Sequence, residues 1–120
     1  MRGYLGPAML RNRHRNAPRP EWKVADAFRQ WLRGRPCLCS DRGGCDGRII
    51  SAHVDYAGGK GMGTKVADRF CIPLCMEHHR VQHQHGWPAF EANFKINGLE
   101  ASKAYWAAWP GRAKWEAEHG

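Results

Sequence analysis

Residues 70–86 read Phe70-Cys71-Ile72-Pro73-Leu74-Cys75-Met76-Glu77-His78-His79-Arg80-Val81-Gln82-His83-Gln84-His85-Gly86. Two patterns meet here. Phe70–Leu74 is short and apolar, which predicts a strand, and Pro73 confines it to a sheet edge or a strand end. From Cys75 to His85 no Gly or Pro intervenes and Gly86 supplies a stop, which predicts a helix of about three turns. Cys75-x-x-His78 stands at the junction, and that spacing suits metal ligation from a helix N-terminus. A strand running directly into a helix, with ligand-type residues at the join, sets the fold class as α+β.

Upstream, Arg48–Val54 is β-branched enough for another short strand. Before it, Cys37-Leu38-Cys39-Ser40-Asp41-Arg42-Gly43-Gly44-Cys45 is a glycine-containing turn with three cysteines. Gly58–Gly63 is a loop on composition. Val24, Ala27, Phe28, Trp31 and Leu32 recur at helical spacing and predict a helix over 21–33, stopped by Gly34 and Pro36. Residues 87–120 read as helical, broken at Asn97-Gly98 and Pro110-Gly111, with aromatic residues that pack over the small core.

The chain has 120 residues, 42% of them hydrophobic. That is one small domain, able to form a core but short enough to need a staple. Five cysteines is an odd number, and no signal-peptide core precedes them, so a disulfide framework is a poor fit. Zinc fits better. Cys37, Cys45, Cys75 and His78 supply three thiolates and an imidazole, with Cys39 an alternative to Cys37. Such a zinc would be structural, with no open position. Cys71, on the strand, reads as a small buried apolar residue. His79 and His83, four apart, share a helix face and can clamp a second ion, while His78 lies about 100° round. His53, at a strand end, is the remaining histidine of interest. A redox role for Cys37-x-Cys39 lacks the Cys-x-x-Cys spacing.

The formal net charge is +8. Residues 1–35 carry nine Lys/Arg against two Asp/Glu, whereas residues 36–85 carry six against five. Residues 1–20 read as a flexible basic arm in which Arg11, Arg13, Arg15 and Arg19 contact phosphates. Residues 21–120 form the single domain, with 37–85 as its motif core and 86–120 as a helical extension. No apolar run approaches a membrane span.

Taken in order, the cysteine turn, Ala52-His53, Gly61-Met62-Gly63-Thr64-Lys65-Val66-Ala67-Asp68 and Leu74-Cys75-Met76-Glu77-His78-His79 resemble the HNH (His-Me finger, ββα-metal) endonucleases. The likeness is to the small phage and prophage members with a zinc knuckle. It spans residues 37–85. It implies a ββα-metal core, a structural zinc, a catalytic Mg²⁺ or other divalent ion, and DNA as partner, as duplex or recombination intermediates. It also implies action in the cytoplasm of a bacterial host. By this resemblance His53 is the general base, and His79 and His83 hold the catalytic ion with Asp55 as a further carboxylate ligand. Asp68 binds the ion or orients His53, and Lys65 contacts phosphate. Lys65 and Arg80 are the side-chain cations expected near the chemistry. Two positions depart from the family pattern. Ala52 stands where many members carry a metal ligand, and the central Asn has no counterpart. The alternative is a zinc-stapled nucleic-acid-binding module without turnover.

Deleting residues 1–20 is expected to weaken DNA binding and flatten its salt dependence, measured by titrating a labelled duplex at several salt concentrations. Unchanged affinity at low salt would make the arm a plain solvated tail.

Overall fold

A computed structural model describes residues 20–57 and 66–119. The arm residues Arg11, Arg13, Arg15 and Arg19, and Lys65 of the glycine loop, lie outside the described residues. The described chain is α+β. Helix α1 (Asp26–Arg33) precedes strands β1 (Ile49–His53) and β2 (Cys71–Cys75). Helix α2 (Met76–His85) follows β2 without a break, and α3 (Trp87–Phe94), α4 (Gly98–Ala108) and α5 (Arg112–His119) complete it.

The strands pair antiparallel, with Ile49 opposite Cys75 and His53 opposite Cys71. Both strands of a two-stranded sheet are edges, so Pro73 costs no ladder bond there. Instead its carbonyl accepts from Leu38 N–H at 2.8 Å, which hangs the cysteine turn on β2. Asn97 caps α4, and Gly86 and Lys95, both at positive φ, separate the C-terminal helices. Gly86 and Asn97 fall where the sequence places breaks, whereas Lys95 is not among them.

The first helix differs from expectation. Residues 21–23 form a 3-10 turn, and α1 begins only at Asp26. The cause is tertiary: Ala25 N–H donates to Asp68 Oδ2 at 2.9 Å, holding Val24 and Ala25 out of helical geometry. Downstream, Phe28 and Leu32 are fully buried against Cys71, Trp106 and Trp109. Phe28 meets the Trp106 ring edge-on at 5.0 Å. Trp115 Nε1 donates to Val24 O at 3.1 Å, so α5 closes on the N-terminal segment. Burying each large side chain contributes about 1.5–3 kcal/mol. Together these contacts clamp α1 and the C-terminal helices to the sheet. A second cluster, with Val54, Ile72, Leu74, Trp87 and Phe90, packs beneath the β2–α2 junction.

Gly47 permits the entry into β1. Its φ is +82°, and an added Cβ would stand 2.8 Å from Met76 Cβ. Gly47→Ala is expected to cost about 1–3 kcal/mol, measured by urea unfolding.

Candidate metal centre and histidine cavity

Cys75 is the N-cap of α2, and its sulfur accepts from His78 N–H at 3.4 Å. N-cap and third helical residue face the same way, which is why Cys-x-x-His works at a helix start. The backbone then brings up the other two thiols. Leu38 N–H bonds Pro73 O, and Met76 and Glu77 N–H bond the carbonyls of Arg48 and Asp46 at 2.9 and 3.1 Å. Cys37 and Cys45 are thereby delivered to the head of α2.

The three sulfurs converge on a single atom. Cys37, Cys45 and Cys75 Sγ lie 3.5, 3.5 and 3.1 Å from His78 Nδ1. All four donor atoms fall within 4.8 Å of one another. One imidazole nitrogen carries one proton or one lone pair and cannot bond three thiols at once. A tetrahedral zinc with Zn–S of about 2.3 Å and Zn–N of about 2.0–2.1 Å places S and N roughly 3.6 Å apart. The donor set fits, and it can hold a metal ion such as zinc. The choice between Cys37 and Cys39 falls to Cys37. Cys39 is fully buried outside the set, and its N–H donates to Cys37 Sγ at 3.4 Å. The Cys39 thiol is the main influence lowering the Cys37 pKa to about 4. The same bond, reinforced by burial, pushes the Cys39 thiol up. Desolvation raises Cys45 to about 12. His78 is 2% exposed, and Phe94 packs edge-on at 5.0 Å to fix its ring. Cys71 is buried with the aromatic cluster, as its strand position implies.

The next residue points elsewhere. His79, with His83, Asp55, His53, Ser51 and Arg29, lines a cavity of about 250 Å³. His79 Nε2 and His83 Nε2 are 3.1 Å apart. Two nitrogens sharing one ion at about 2.1 Å stand roughly 3.0–3.4 Å apart, so the spacing suits a shared ion as well as a direct N–H···N bond. Burial lowers the His79 pKa, the charge of His83 lowers it further, and Asp55 opposes both. Asp55 is exposed on this cavity, yet its carboxylate does not join the two imidazoles within 4.8 Å. Among the described residues the Cys/His cluster is the one set of three or more gathered that tightly.

His53 ends β1 and its Nε2 lies 2.8 Å from Asp68 Oδ1. A carboxylate accepts, so Nε2 carries the proton, and in the neutral ring the lone pair falls on Nδ1. Asp68 is 1% exposed, and its other oxygen takes the Ala25 N–H. Of the two placements expected for Asp68, the geometry matches the one beside His53. Arg80 does not serve the cavity: it pairs with Glu77 at 2.6 Å on the outer face of α2. The cation lining the cavity is Arg29, which the sequence reading passed over. Arg29 and Arg33 stand four apart on a helix, a spacing that marks one basic face, though a far sparser one than the run of arginines in residues 11–19.

Residues 12–103, about three quarters of the chain, match a family described as "Protein of unknown function (DUF968)". The chain is 35% identical over 65 residues to "Uncharacterized protein YdfU" of Escherichia coli strain K12. That match covers 54% of this chain and 17% of the relative. No solved structure matches significantly.

Cys37→Ser and Cys75→Ser are expected to lower bound zinc per chain, measured by elemental analysis of purified protein, whereas Cys39→Ser leaves it unchanged. Full zinc in Cys75→Ser would refute the site.

Proposed function

We propose that this chain, which belongs to the DUF968 family, is a metal-dependent endonuclease that hydrolyses phosphodiester bonds of DNA. One observation carries the reading. His53, paired with a buried carboxylate, and the His79–His83 pair open on the same cavity. A purely structural zinc module has no use for that second histidine group. The order of elements, from cysteine turn through strand, strand and helix, also resembles the HNH endonucleases.

The Cys37, Cys45, Cys75 and His78 set holds a structural zinc. His53 is the general base. Asp68 fixes its tautomer through Nε2–H, leaving Nδ1 to take a proton from water. The water oxygen bonds to phosphorus as the P–O3′ bond breaks, and solvent protonates the departing 3′ oxygen. His79 and His83 would hold a divalent ion, Mg²⁺ or another that accepts imidazole more readily, and such an ion would supply charge relief to the phosphoryl and leaving oxygens. Asp55 lies at the cavity mouth, where it can reach such an ion through water. Lys65 contacts a phosphate, and the arm residues Arg11, Arg13, Arg15 and Arg19 add salt-sensitive affinity. The protein acts in the cytoplasm of a bacterial host as a phage or prophage product. No helix among the described residues is long and apolar enough to cross a membrane.

Plasmid nicking in Mg²⁺ or Mn²⁺ tests the proposal. Wild type is expected to nick, and His53→Ala to lose about 10²–10⁴-fold in rate. Equal cleavage by His53→Ala would remove His53 as base. DNA binding without any cleavage would instead identify a zinc-stapled binding module.

A further inference from the structure

Helix α1 lies outside the strand–strand–helix unit, yet it reaches the histidine cavity. Arg29 Nε donates to Ser51 Oγ at 2.8 Å, and Arg29 Nη2 lies 3.4 Å from Ser51 O. Arg33 Nη1 donates to the same Ser51 Oγ at 3.3 Å. Ser51 is buried on β1, two residues before His53 and therefore on the same strand face.

Two guanidinium groups thus meet over one neutral hydroxyl. Each stays charged at any ordinary pH. Neither forms an ion pair with a carboxylate among the described residues. Asp68, the buried acid nearby in the fold, spends its oxygens on His53 and Ala25. Asp55 shares the cavity without pairing to Arg29. Like charges this close repel, and a hydroxyl and a carbonyl relieve that repulsion only in part. An anion placed between them relieves it fully. The fork of a guanidinium has five donors, and Arg29 uses two of them on Ser51, so others remain for the anion.

We propose that Arg29, which lines the histidine cavity, and exposed Arg33, which reaches the same Ser51 hydroxyl, form an oxyanion clamp at its edge. It binds non-bridging oxygens of a phosphodiester beside His53. This rests on the nuclease reading for the identity of the ligand, though not for the existence of the anion site. Ser51 is the positioning residue, since its hydroxyl and carbonyl aim the Arg29 fork. The clamp gives the N-terminal helix a role that the arm's charge does not supply. The arm adds affinity along the backbone, whereas the clamp fixes one phosphate against the base.

The test uses the full chain carrying His53→Ala, so that bound DNA stays intact. Affinity for a labelled DNA duplex is measured by fluorescence anisotropy at several salt concentrations. Added to that background, Arg29→Gln, Arg33→Gln and the pair are compared with Arg80→Gln, which removes an exposed cation already paired to Glu77. Glutamine keeps a donor for Ser51, and circular dichroism with zinc content checks folding. Should Arg29→Gln fail to fold, exposed Arg33 reads the same site alone. The double variant is expected to bind about tenfold more weakly, with a salt slope smaller by about one to two, while Arg80→Gln stays near the background. Unchanged affinity and slope in the folded variants would overturn the clamp and leave the nuclease reading standing. A second arm uses inorganic phosphate alone, following the Arg29 and Arg33 side-chain Nε–H resonances by NMR in the otherwise wild-type chain. Saturable shifts of both resonances on adding phosphate, with the Arg29 shift weakened in Arg33→Gln, support the anion site even if the protein neither binds nor cuts DNA. Absence of any shift together with absence of DNA binding would overturn it.

Discussion

Everything around the site depends on three sulfurs meeting at one nitrogen, His78 Nδ1. Protein–protein contacts alone do not stabilise that arrangement. Three thiol groups and one imidazole crowded into a shared space offer one or two weak hydrogen bonds and considerable desolvation. A zinc ion in such a donor set contributes about 10–16 kcal/mol in small metallo-domains, against about 5–15 kcal/mol for the net stability of a whole domain. Placed here, it would outweigh every other single contact. It joins a turn before β1 to the head of α2, segments that share few apolar side chains. The sheet between them has two strands of five residues each, too little to hold register unaided.

Fixing His78 also fixes the rotation of α2. The next residue, His79, must then point about 100° away, toward β1. His83 follows it one turn later. The second histidine group therefore inherits its direction from the first, and its distance to His53 from the β1–β2 register. A slip of one residue in that register would turn His53 to the opposite face of the sheet. The cysteine centre and the aromatic cluster on α1 act from opposite ends to prevent it. One grips Cys75 at the end of β2. The other packs Cys71 at its start, opposite His53.

How much of this was legible in sequence follows the range of each interaction. Cys75 and His78 lie within one helical turn, so their spacing alone shows that they share a ligand direction. The α2 and α4 boundaries were legible for the same reason, since Gly86 and Asn97-Gly98 act locally. Cys37 against Cys39 was not legible. Both sit in one turn, and the choice depends on Leu38 N–H meeting Pro73 O, 35 residues away in sequence. The true start of α1 was hidden likewise, because Asp68 holds Ala25 across 43 residues. Arg29 has only a weak local signature, its spacing of four from Arg33. A helical arginine is ordinarily a solvated one, and only the packing of α1 against Ser51 gives it a cavity to face.

Helix α1 ties these threads together electrostatically. A carboxylate as buried as Asp68 is costly unless its oxygens are bonded. Among the described residues its oxygens take an imidazole N–H and the Ala25 N–H at the head of α1, where the helix dipole also favours negative charge. The same helix carries Arg29 and Arg33 onto the β1 face that ends in His53. Its N-terminus thus steadies the acid that holds His53, and its later turns bring positive charge to Ser51 and the cavity. The +8 of the chain is therefore not one undivided attraction to polyanions. Most of it falls in residues 1–20, which carry five arginines and no acid. One of its charges, half-buried Arg29, is built into the cavity that His53 lines, with exposed Arg33 next to it on Ser51, and neither has a carboxylate partner among the described residues. Charge held this way is screened less and is already oriented, as the capture of a single anion requires.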